Sequence, residues 1–323
     1  MDINGLSHAV LLDKNGGAKS LSYDEIQNYT KSMGLLWVHF DYSSKEAIDW
    51  ITNRSGIDEV AVDALLTSET RPRTTILDNS ILLALRGVNL NANSDPEDMI
   101  SIRLYISKDL IVSTKKRDLL SVKDILNSFE KNRGPQNSSE FLIELTDRLT
   151  SRMEGTIDSL HDRASEIEEM IIESSNLFVR TEISKIRREA ISLRRYLSPQ
   201  KEAMHRLYSD KVSWLSEHDK VQLREITDQL IRYVEELDSI NDKVTLIQEE
   251  ILSKISEQMN QRMYVLSIIS AIFLPLGFLT GLFGINVGGL PGTENKDAFM
   301  FFTVALSAMG VGLFYLLKRS KWI

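Results

Sequence analysis

The chain has 323 residues, of which 26% are charged, and its formal net charge at pH 7 is -8. It contains no cysteine, which excludes disulfides, thiolate metal sites and cysteine catalysis. An excess of negative charge repels phosphates, so we expect no nucleic-acid partner. The sequence has no glycine-rich phosphate loop, no zinc-protease motif and no nucleophile elbow, so we expect a protein that is not an enzyme and needs no cofactor.

The first part of the chain, residues 1–134, mixes strand-like and helix-like runs. Runs rich in β-branched and aromatic residues predict strands at 8–14, 35–42, 73–78, 80–90, 99–106 and 110–116. Runs with helical spacing of apolar residues predict helices at 45–51, 58–66 and 121–131. This mixture predicts an α/β or α+β domain over residues 1–134.

From residue 135 to 262 the strand signal disappears and long helical patterns replace it. Asn137 and Glu140 predict a helix start, and residues 141–172 read as one helix that breaks at 173–176. The next helix is expected to stop before Pro199, because proline cannot continue the backbone hydrogen bonds, and a shorter helix is expected at 200–212. Basic residues in this region are predicted to pair with acidic helices: Lys185, Arg187, Arg188, Arg194 and Arg195.

The last cytoplasmic helix has its own start signal in Ser216 and Asp219. Its apolar residues follow the heptad spacing of helices that pack on partner helices: Leu223, Ile226, Leu230, Tyr233, Leu237, Ile240, Val244, Ile247 and Ile251. No glycine or proline interrupts the pattern before Pro275. We therefore predict a stalk helix about 100 Å long, at 1.5 Å per residue, that passes from the cytoplasm into a bilayer.

Two apolar segments near the C-terminus, residues 263–283 and 298–317, carry no charge. Each is long enough for a helix to cross ~30 Å of hydrocarbon, so they predict two transmembrane helices joined by an outer loop at 284–297. Arg262 precedes the first segment, and the closing stretch at 318–323 is basic. By the positive-inside rule both termini lie in the cytoplasm.

One face of the first apolar segment is rich in small or polar residues, and the opposite face is bulky. The first face is predicted to line a narrow water path, and it consists of Asn260, Met263, Leu266, Ser267, Ser270, Leu274, Gly277 and Gly281. A simpler interpretation stays open, because Gly277 and Gly281 also form a common helix-contact pattern and Pro275 is tolerated as a kink. Since two helices cannot enclose a pathway, conduction requires several chains around an axis.

The tripeptide Gly284, Ile285 and Asn286 follows the first segment directly, before a short loop and a last apolar segment. In this position it resembles the Gly-Met-Asn signature of the CorA superfamily of divalent-metal transporters. The form Gly-Ile-Asn-x-Gly-Gly-x-Pro-Gly is similar to the ZntB zinc-transporter branch. Further segments that resemble this branch lie at 70–73, 82–90, 96–103, 111–114 and 194–200, so the resemblance covers essentially the whole chain.

The resemblance implies an α-helical membrane protein with a large cytoplasmic domain, comprising an N-terminal α/β (αβα) domain, a long helical bundle with a stalk, and two C-terminal transmembrane helices. It implies a funnel-shaped homopentamer in the lipids of a bacterial inner membrane, with the first spans lining the pore. Asn286 then supplies a ring of amide oxygens at the outer mouth, and hydrated metal passes through it. The replacement of the signature Met by Ile285 favours Zn²⁺, with Mg²⁺, Co²⁺, Ni²⁺ and Cd²⁺ as further ions.

The spans contain no His, Asp or Glu, so any dehydrated metal site is expected in the cytoplasmic part. The candidate is Asp158, His161 and Asp162 on an acidic helix, although a charged helix is usually just a solvated face. Two other functions stay open. One is a magnesium or cobalt channel of the wider superfamily. The other is a membrane-anchored scaffold or metal sensor that transports nothing.

Overall fold

The structure is a computed structural model that describes residues 5–68, 71–173, 177–284, 292, 295–320 and 322, without the side chains of 171–173, 177 and 178. The chain divides into two compact units, residues 1–248 and 249–323.

The first unit is built on a seven-stranded sheet with the order β2-β1-β3-β7-β6-β5-β4. Its strands are β1 (Leu6–Leu12), β2 (Ala18–Ser20), β3 (Leu36–Asp41), β4 (Arg73–Leu77), β5 (Ser80–Gly87), β6 (Ile100–Ile106) and β7 (Leu110–Lys115). Strands β3 and β7 pair in parallel, with Trp37 opposite Ile111, and all other neighbours are antiparallel. All six predicted strands are therefore confirmed, and β2 is one that the sequence did not indicate.

Helices cover both faces of this sheet. They are α1 (Tyr23–Gln27), α2 (Lys45–Asp49, continued by a π-helical turn at Trp50–Arg54), α3 (Glu59–Leu66), α4 (Leu120–Glu130) and α5 (Ser138–Ser151). Successive strand residues point to opposite faces, and Phe40 packs in one core with Trp50 and Leu65. Trp37, on the other face of β3, contacts the ring of Phe141 in α5 at 4.7 Å between centroids. These contacts confirm a three-layer αβα domain.

Three long helices follow: α6 (Glu154–Glu173), α7 (Leu177–Ser209) and α8 (Glu217–Gly284). The prediction of one helix over 141–172 is wrong, because α5 ends at Ser151 and α6 begins at Glu154. Between them the Arg152 guanidinium donates to Asp124 of α4 at 2.9 Å, and the neighbouring Met153 is fully buried. A turn at this point lets the Arg152 side chain reach α4. Most of the predicted break at 173–176 lies outside the described residues.

The prediction that a helix stops before Pro199 is also wrong, because α7 continues through it. Proline removes one backbone hydrogen bond of the helix. Contacts with the sheet hold the part of α7 that follows Pro199. The Gln200 amide accepts a hydrogen bond from the Arg86 backbone N–H at 2.7 Å and donates to the Arg86 carbonyl at 3.1 Å. Thr74 donates to the carbonyl of Ala203 at 2.7 Å. These hydrogen bonds attach the part of α7 after Pro199 to strands β4 and β5 of the sheet.

Helix α8 starts as predicted, since Ser216 Oγ accepts from the Asp219 N–H at 3.2 Å and the Asp219 carboxylate accepts from the Ser216 N–H at 2.8 Å. The Asn137 side chain likewise caps α5 through the Glu140 N–H. All predicted heptad residues of α8 are buried. The prediction of one uninterrupted helix from the stalk through Pro275 is confirmed.

Polar contacts tie α6, α7 and α8 together. Arg163 of α6 donates to Glu182 at 2.9 Å and to Glu189 at 2.7 Å, both on α7, and the hydrogen bond to Glu189 is the main reason that the Arg163 pKa is raised. Two of the predicted basic residues pair with α8, namely Arg187 with Gln248 and Arg194 with Asp238. The prediction that the basic run pairs with acidic helices thus holds for part of that run.

The second unit contains the apolar end of α8 and helix α9 (Ala298–Arg319). The two helices touch where the rings of Phe283 and Phe302 lie 5.0 Å apart and where Leu276 lies against Gly310. Each contains an apolar stretch long enough to cross a membrane, and no residue of either stretch is buried inside the chain. They are two candidate membrane spans.

Candidate ion pathway

The apolar end of α8 has two unlike faces. Partly buried residues of one face, including Ile272 and Leu276, lie on the side that α9 covers. The predicted pathway residues all remain exposed: Asn260, Met263, Leu266, Ser267, Ser270, Leu274, Gly277 and Gly281. Within one chain, the hairpin therefore covers part of the bulky face and leaves the small and polar face open.

Packing against the other described segments does not require the glycines of the open face. A Cβ atom added at Gly277, Gly281 or Gly284 would meet no atom of those segments within 4 Å. By contrast, a Cβ at Gly310 of α9 would lie 3.6 Å from the Leu276 side chain. Small residues that packing within the described chain does not require suggest that a neighbouring helix approaches this face closely or that the face borders a narrow water path.

The predicted selectivity motif lies at the end of this face. Gly284 is the last residue of α8, whereas Ile285 and Asn286 lie outside the described residues. In the described part of the loop, Asn295 accepts a hydrogen bond from the Asp297 N–H at 3.0 Å, and Gly292 adopts a φ of +93°. The ring of amide oxygens at Asn286 therefore stays a prediction.

The chemistry of the spans suits an ion that keeps its water. Residues 263–283 and 298–317 contain no ionisable side chain other than Tyr264 and Tyr315, so they hold no ligand that Zn²⁺ or Mg²⁺ would prefer to its hydration shell. Hydroxyl groups can line a wet path, although Thr280 donates to the Gly277 carbonyl of its own helix at 3.0 Å. Basic Lys318 and Arg319 end α9.

The predicted cytoplasmic metal site is not assembled by the described residues of a single chain. The structure places His161 Nδ1 3.4 Å from a carboxylate oxygen of Glu236 on α8, and both side chains are partly exposed. Among the described residues, no group of three or more His, Asp or Glu side chains is arranged to hold a metal. A site made of Asp158, His161 and Asp162 therefore stays a prediction. Sequence reasoning missed Glu236, because it lies on another helix and no spacing rule links it to His161.

Another histidine is part of the core. His39 is fully buried, and its Nδ1 atom lies 2.7 Å from Ser113 Oγ, which also accepts a hydrogen bond from the Trp37 indole at 2.8 Å. Burial, followed by the positive charge of Lys115, lowers the pKa of His39 to about 3. His39 is thus a neutral structural residue at physiological pH and has no access to a metal in solvent.

Comparison with known proteins decides the family. A family model described as "CorA-like Mg2+ transporter protein" matches residues 32–319. The chain belongs to the CorA-like transporter family. This result confirms the resemblance that the Gly-x-Asn tripeptide indicated. The relatives of the chain are named as transporters rather than enzymes.

Relatives of this CorA-family chain match it from end to end. The zinc transport protein ZntB of Yersinia enterocolitica is 34% identical over 323 residues, which cover 100% of this chain and 98% of that protein. The divalent cation transporter CmaX of Pseudomonas aeruginosa is 34% identical over 325 residues, with 100% and 98% covered. The solved structure of full-length CmaX matches with a TM-score of 0.86 at 33% identity and covers 100% of this chain and 99% of that one. The predicted fold class is thereby confirmed at the level of the single chain.

Proposed function

We propose that this CorA-family protein carries hydrated divalent metal ions across the inner membrane of a bacterial cell as a homopentamer. The apolar ends of five α8 helices surround the pathway, and the α9 helices lie outside them. The observation that carries this proposal is the open face of α8, where a Cβ atom added at Gly277 or Gly281 would meet no atom of another described segment within 4 Å. One hairpin cannot enclose water, whereas a ring of such faces can.

In this arrangement Asn286 closes the outer mouth with a ring of side-chain amides. Amide oxygens are neutral, hard donors that hydrogen-bond the water around a divalent ion. They do not require the ion to shed its hydration shell, which Mg²⁺ in particular gives up reluctantly. Because the donors are uncharged, the ion is attracted weakly enough to move on.

Zinc is the foremost ion of this proposal. Two observations support it: the relative from Yersinia enterocolitica is named as a zinc transporter, and Ile285 stands where the magnesium-type signature has Met. The description of the matching family model names Mg²⁺, and the CmaX relative is named as a transporter of divalent cations in general. Transport of Mg²⁺ or Co²⁺ is therefore the alternative, and Ni²⁺ and Cd²⁺ are further ions to compare.

Flux into liposomes that contain the purified protein tests the proposal. We expect wild-type protein to admit Zn²⁺ and the Asn286→Ala variant to lose most of this flux, while Asn295→Ala, in the same loop, keeps it. Equal flux through Asn286→Ala and wild type would remove the proposed filter. A monomer in mild detergent that passes no ion would instead favour a membrane-anchored scaffold or sensor. Faster uptake of Mg²⁺ than of Zn²⁺ would favour the magnesium alternative.

The proposed orientation places both termini in the cytoplasm and the 284–297 loop outside. Its support is the basic end of α9, Lys318 and Arg319, since Lys and Arg are in excess on the cytoplasmic side of membrane proteins. The half-exposed Trp322 that follows suits a membrane interface, where aromatic rings contact lipid head groups on either side. Labelling of a cysteine introduced at Asn295 by an impermeant reagent added to intact cells checks the orientation, because the natural chain has no thiol.

We also propose that the cytoplasmic part senses metal near His161, with Asp158 and Asp162 as further ligands. Its support is the His161 and Glu236 pair, which already joins α6 to α8. Binding of Zn²⁺ measured by calorimetry on wild type and on His161→Ala tests this site. Unchanged stoichiometry and affinity would reject it without affecting the flux proposal.

A further inference from the structure

Helix α7 carries an exposed surface, here called the arginine face and defined as Arg188, Ile191 and Arg195. Steps of three and four residues place the three side chains on one side of the helix, and Ile191 at its centre is 50% exposed. Arg188 donates to a carbonyl of its own helix at 3.2 Å, and Arg195 donates to the neighbouring Tyr196 hydroxyl at 2.8 Å. Among the residues that the structure describes, neither arginine pairs with a carboxylate.

The arginine face points away from both helices that pack on α7 within the chain. Arg187 donates to Gln248 of α8, and Glu189 accepts from Arg163 of α6. Arg188 lies between these two positions, about 100° around the helix from each. Two exposed arginines with an apolar centre are therefore left without a contact on α6 or α8 of their own chain.

Helix α8 carries a surface of opposite charge, here called the acidic face and defined as Asp242, Leu246 and Glu249. Both carboxylates are exposed and, in the described ranges, have neither a hydrogen bond nor an ion pair. Leu246 is 66% exposed. It lies about 200° around the helix from the buried Val244. The acidic face is thus opposite the heptad face that α6 and α7 cover.

The two faces have the same spacing. From Arg195 the arginine face continues four residues back to Ile191 and three more to Arg188. From Asp242 the acidic face continues four residues forward to Leu246 and three more to Glu249. Two antiparallel helices in one register therefore bring three matched pairs together: Arg195 with Asp242, Ile191 with Leu246, and Arg188 with Glu249.

The two faces also lie at the same height along the stalk. Within the chain α7 runs antiparallel to α8, because Arg187 donates to Gln248 at 3.0 Å and Arg194 donates to Asp238 at 3.2 Å. Arg188 thus lies level with the turn of α8 that contains Glu249, and Arg195 lies within about 6 Å of the level of Asp242, at 1.5 Å per residue. Rotation about an axis that the α8 helices surround preserves height. The faces of successive copies can therefore meet.

We propose that the arginine face of one chain packs on the acidic face of α8 in the next copy of the chain. Each copy then offers α7 to one neighbour and α8 to the other, so that α7 and α8 alternate around the axis and α6 lies outside them. Such a heterologous contact closes into a ring. This inference rests on the proposed homo-oligomer and assigns to it a contact outside the membrane.

Cross-linking of the full-length protein in lipid nanodiscs tests the contact, since the chain has no cysteine of its own. We expect the double variant Ile191→Cys and Leu246→Cys, treated with a short bismaleimide, to give dimers and larger species on a denaturing gel. Its matched control is Ile191→Cys with Val221→Cys. Val221 is also exposed on α8 but lies about 38 Å from Leu246 along the helix, at 1.5 Å per residue, so this pair should stay monomeric on the gel. Equal ladders from both pairs, or none from the first, would overturn the inference.

The single variants distinguish this contact from an open, water-filled funnel. Because the two faces differ, Ile191→Cys alone and Leu246→Cys alone should each stay monomeric on the gel. If the acidic faces instead lined an open funnel, Leu246→Cys alone would link to the same residue of another copy. A ladder from Leu246→Cys alone as strong as that from the double variant would reject the proposed pairing.

Charge exchange supplies an independent arm. Added to the double cysteine variant, Arg195→Asp and Asp242→Arg should each lower the yield of linked species several-fold, and the two together should restore it. Glu166→Arg, at an exposed position of α6, is the control and should leave the yield unchanged. A combined variant that links no better than the single exchanges would contradict direct pairing of the two charges.

The native mass of the unlinked wild type in nanodiscs separates this inference from the proposed function. An oligomer whose double cysteine variant does not link rejects only the contact between α7 and α8. A monomer rejects the proposed homo-oligomer together with the contact.

Discussion

The cytoplasmic part of α8 and its apolar end belong to one helix but differ in what covers them. In the cytoplasmic part the heptad residues are buried, and ion pairs and hydrogen bonds fix the helix to α6 and α7. In the apolar end none of the described residues is buried, and no other described segment lies within 4 Å of a Cβ atom added at Gly277 or Gly281 of the small face. The same helix thus packs within the chain at one end and is left exposed by the described residues at the other. Substitutions in the cytoplasmic part should therefore lower the stability of the fold, whereas substitutions in the apolar end should lower the metal flux.

The largest effect is expected for Gly281→Leu. A Cβ atom at this position meets no other described segment within 4 Å, so the hairpin should still fold. In the proposed ring, five leucines would project into the pathway and abolish Zn²⁺ flux into liposomes. Gly312→Leu on α9 is the matched control, because a Cβ there also meets nothing within 4 Å, and it should keep flux. Wild-type flux through Gly281→Leu would mean that this face does not border the pathway.

A smaller effect, on stability rather than flux, is expected for Leu237→Ala in the cytoplasmic part. Leu237 is fully buried, and removing a buried leucine side chain costs about 3 kcal/mol through lost burial and the cavity left behind. Leu246→Ala, on the exposed face of the same helix, should cost no more than about 0.5 kcal/mol. The free energy of unfolding from urea titration in detergent, followed by tryptophan fluorescence, gives both values. Equal losses would contradict the assignment of buried and exposed faces.

The buried His39 predicts how stability depends on pH. Its pKa lies at about 3 in the folded state against an ordinary value of 6.5. Between these values the unfolded chain binds one proton more, so stability is lost as pH falls from 6.5 towards 3. At pH 5 the loss should reach about 2 kcal/mol, at 1.36 kcal/mol per pH unit.

The control for this prediction is a second histidine. In His39→Phe, the loss of stability between pH 7 and pH 5 that the histidine causes should disappear, whatever the stability of the variant at pH 7. In His218→Gln, a substitution at an exposed position, the same loss should remain. Urea titrations at pH 7 and pH 5 provide the comparison. The same pH dependence in wild type and His39→Phe would show that other groups cause it.

The smallest effect is expected for Asn137→Ala at the start of α5. The Asn137 side chain accepts a hydrogen bond from the Glu140 N–H at 2.9 Å, and loss of such a cap costs about 1 kcal/mol. Asn53→Ala, on the exposed surface, removes a side-chain bond to Asp49 but no helix cap, and it should cost less. A thermal melt in detergent with unchanged midpoint for Asn137→Ala would show that the cap contributes nothing.

Sequence reasoning succeeded where a local pattern carries the physics. Strand runs such as 80–90 and the helix start at Ser216 follow from β propensity and capping, and the structure contains both. It failed where the pattern is short or where distant contacts override it. Strand β2 has three residues, too few for a period to show. Pro199 normally ends a helix, but α7 continues because Gln200 binds the Arg86 backbone, far away in sequence.

The sequence by itself determined the two apolar segments, the unlike faces of the first one and the heptad face of α8, because each depends on residue spacing along a single element. It also determined the family, through motifs that match over nearly the whole chain. The tertiary structure alone decided the sheet order with its parallel β3 and β7 pair, the turn at Met153 and the meeting of His161 with Glu236. It also decided which arginines of α7 bind side chains of α8, namely Arg187 and Arg194, since the Arg188 guanidinium donates to a carbonyl of its own helix. These features depend on which distant segments come together, and that choice is made by the packing of the whole core.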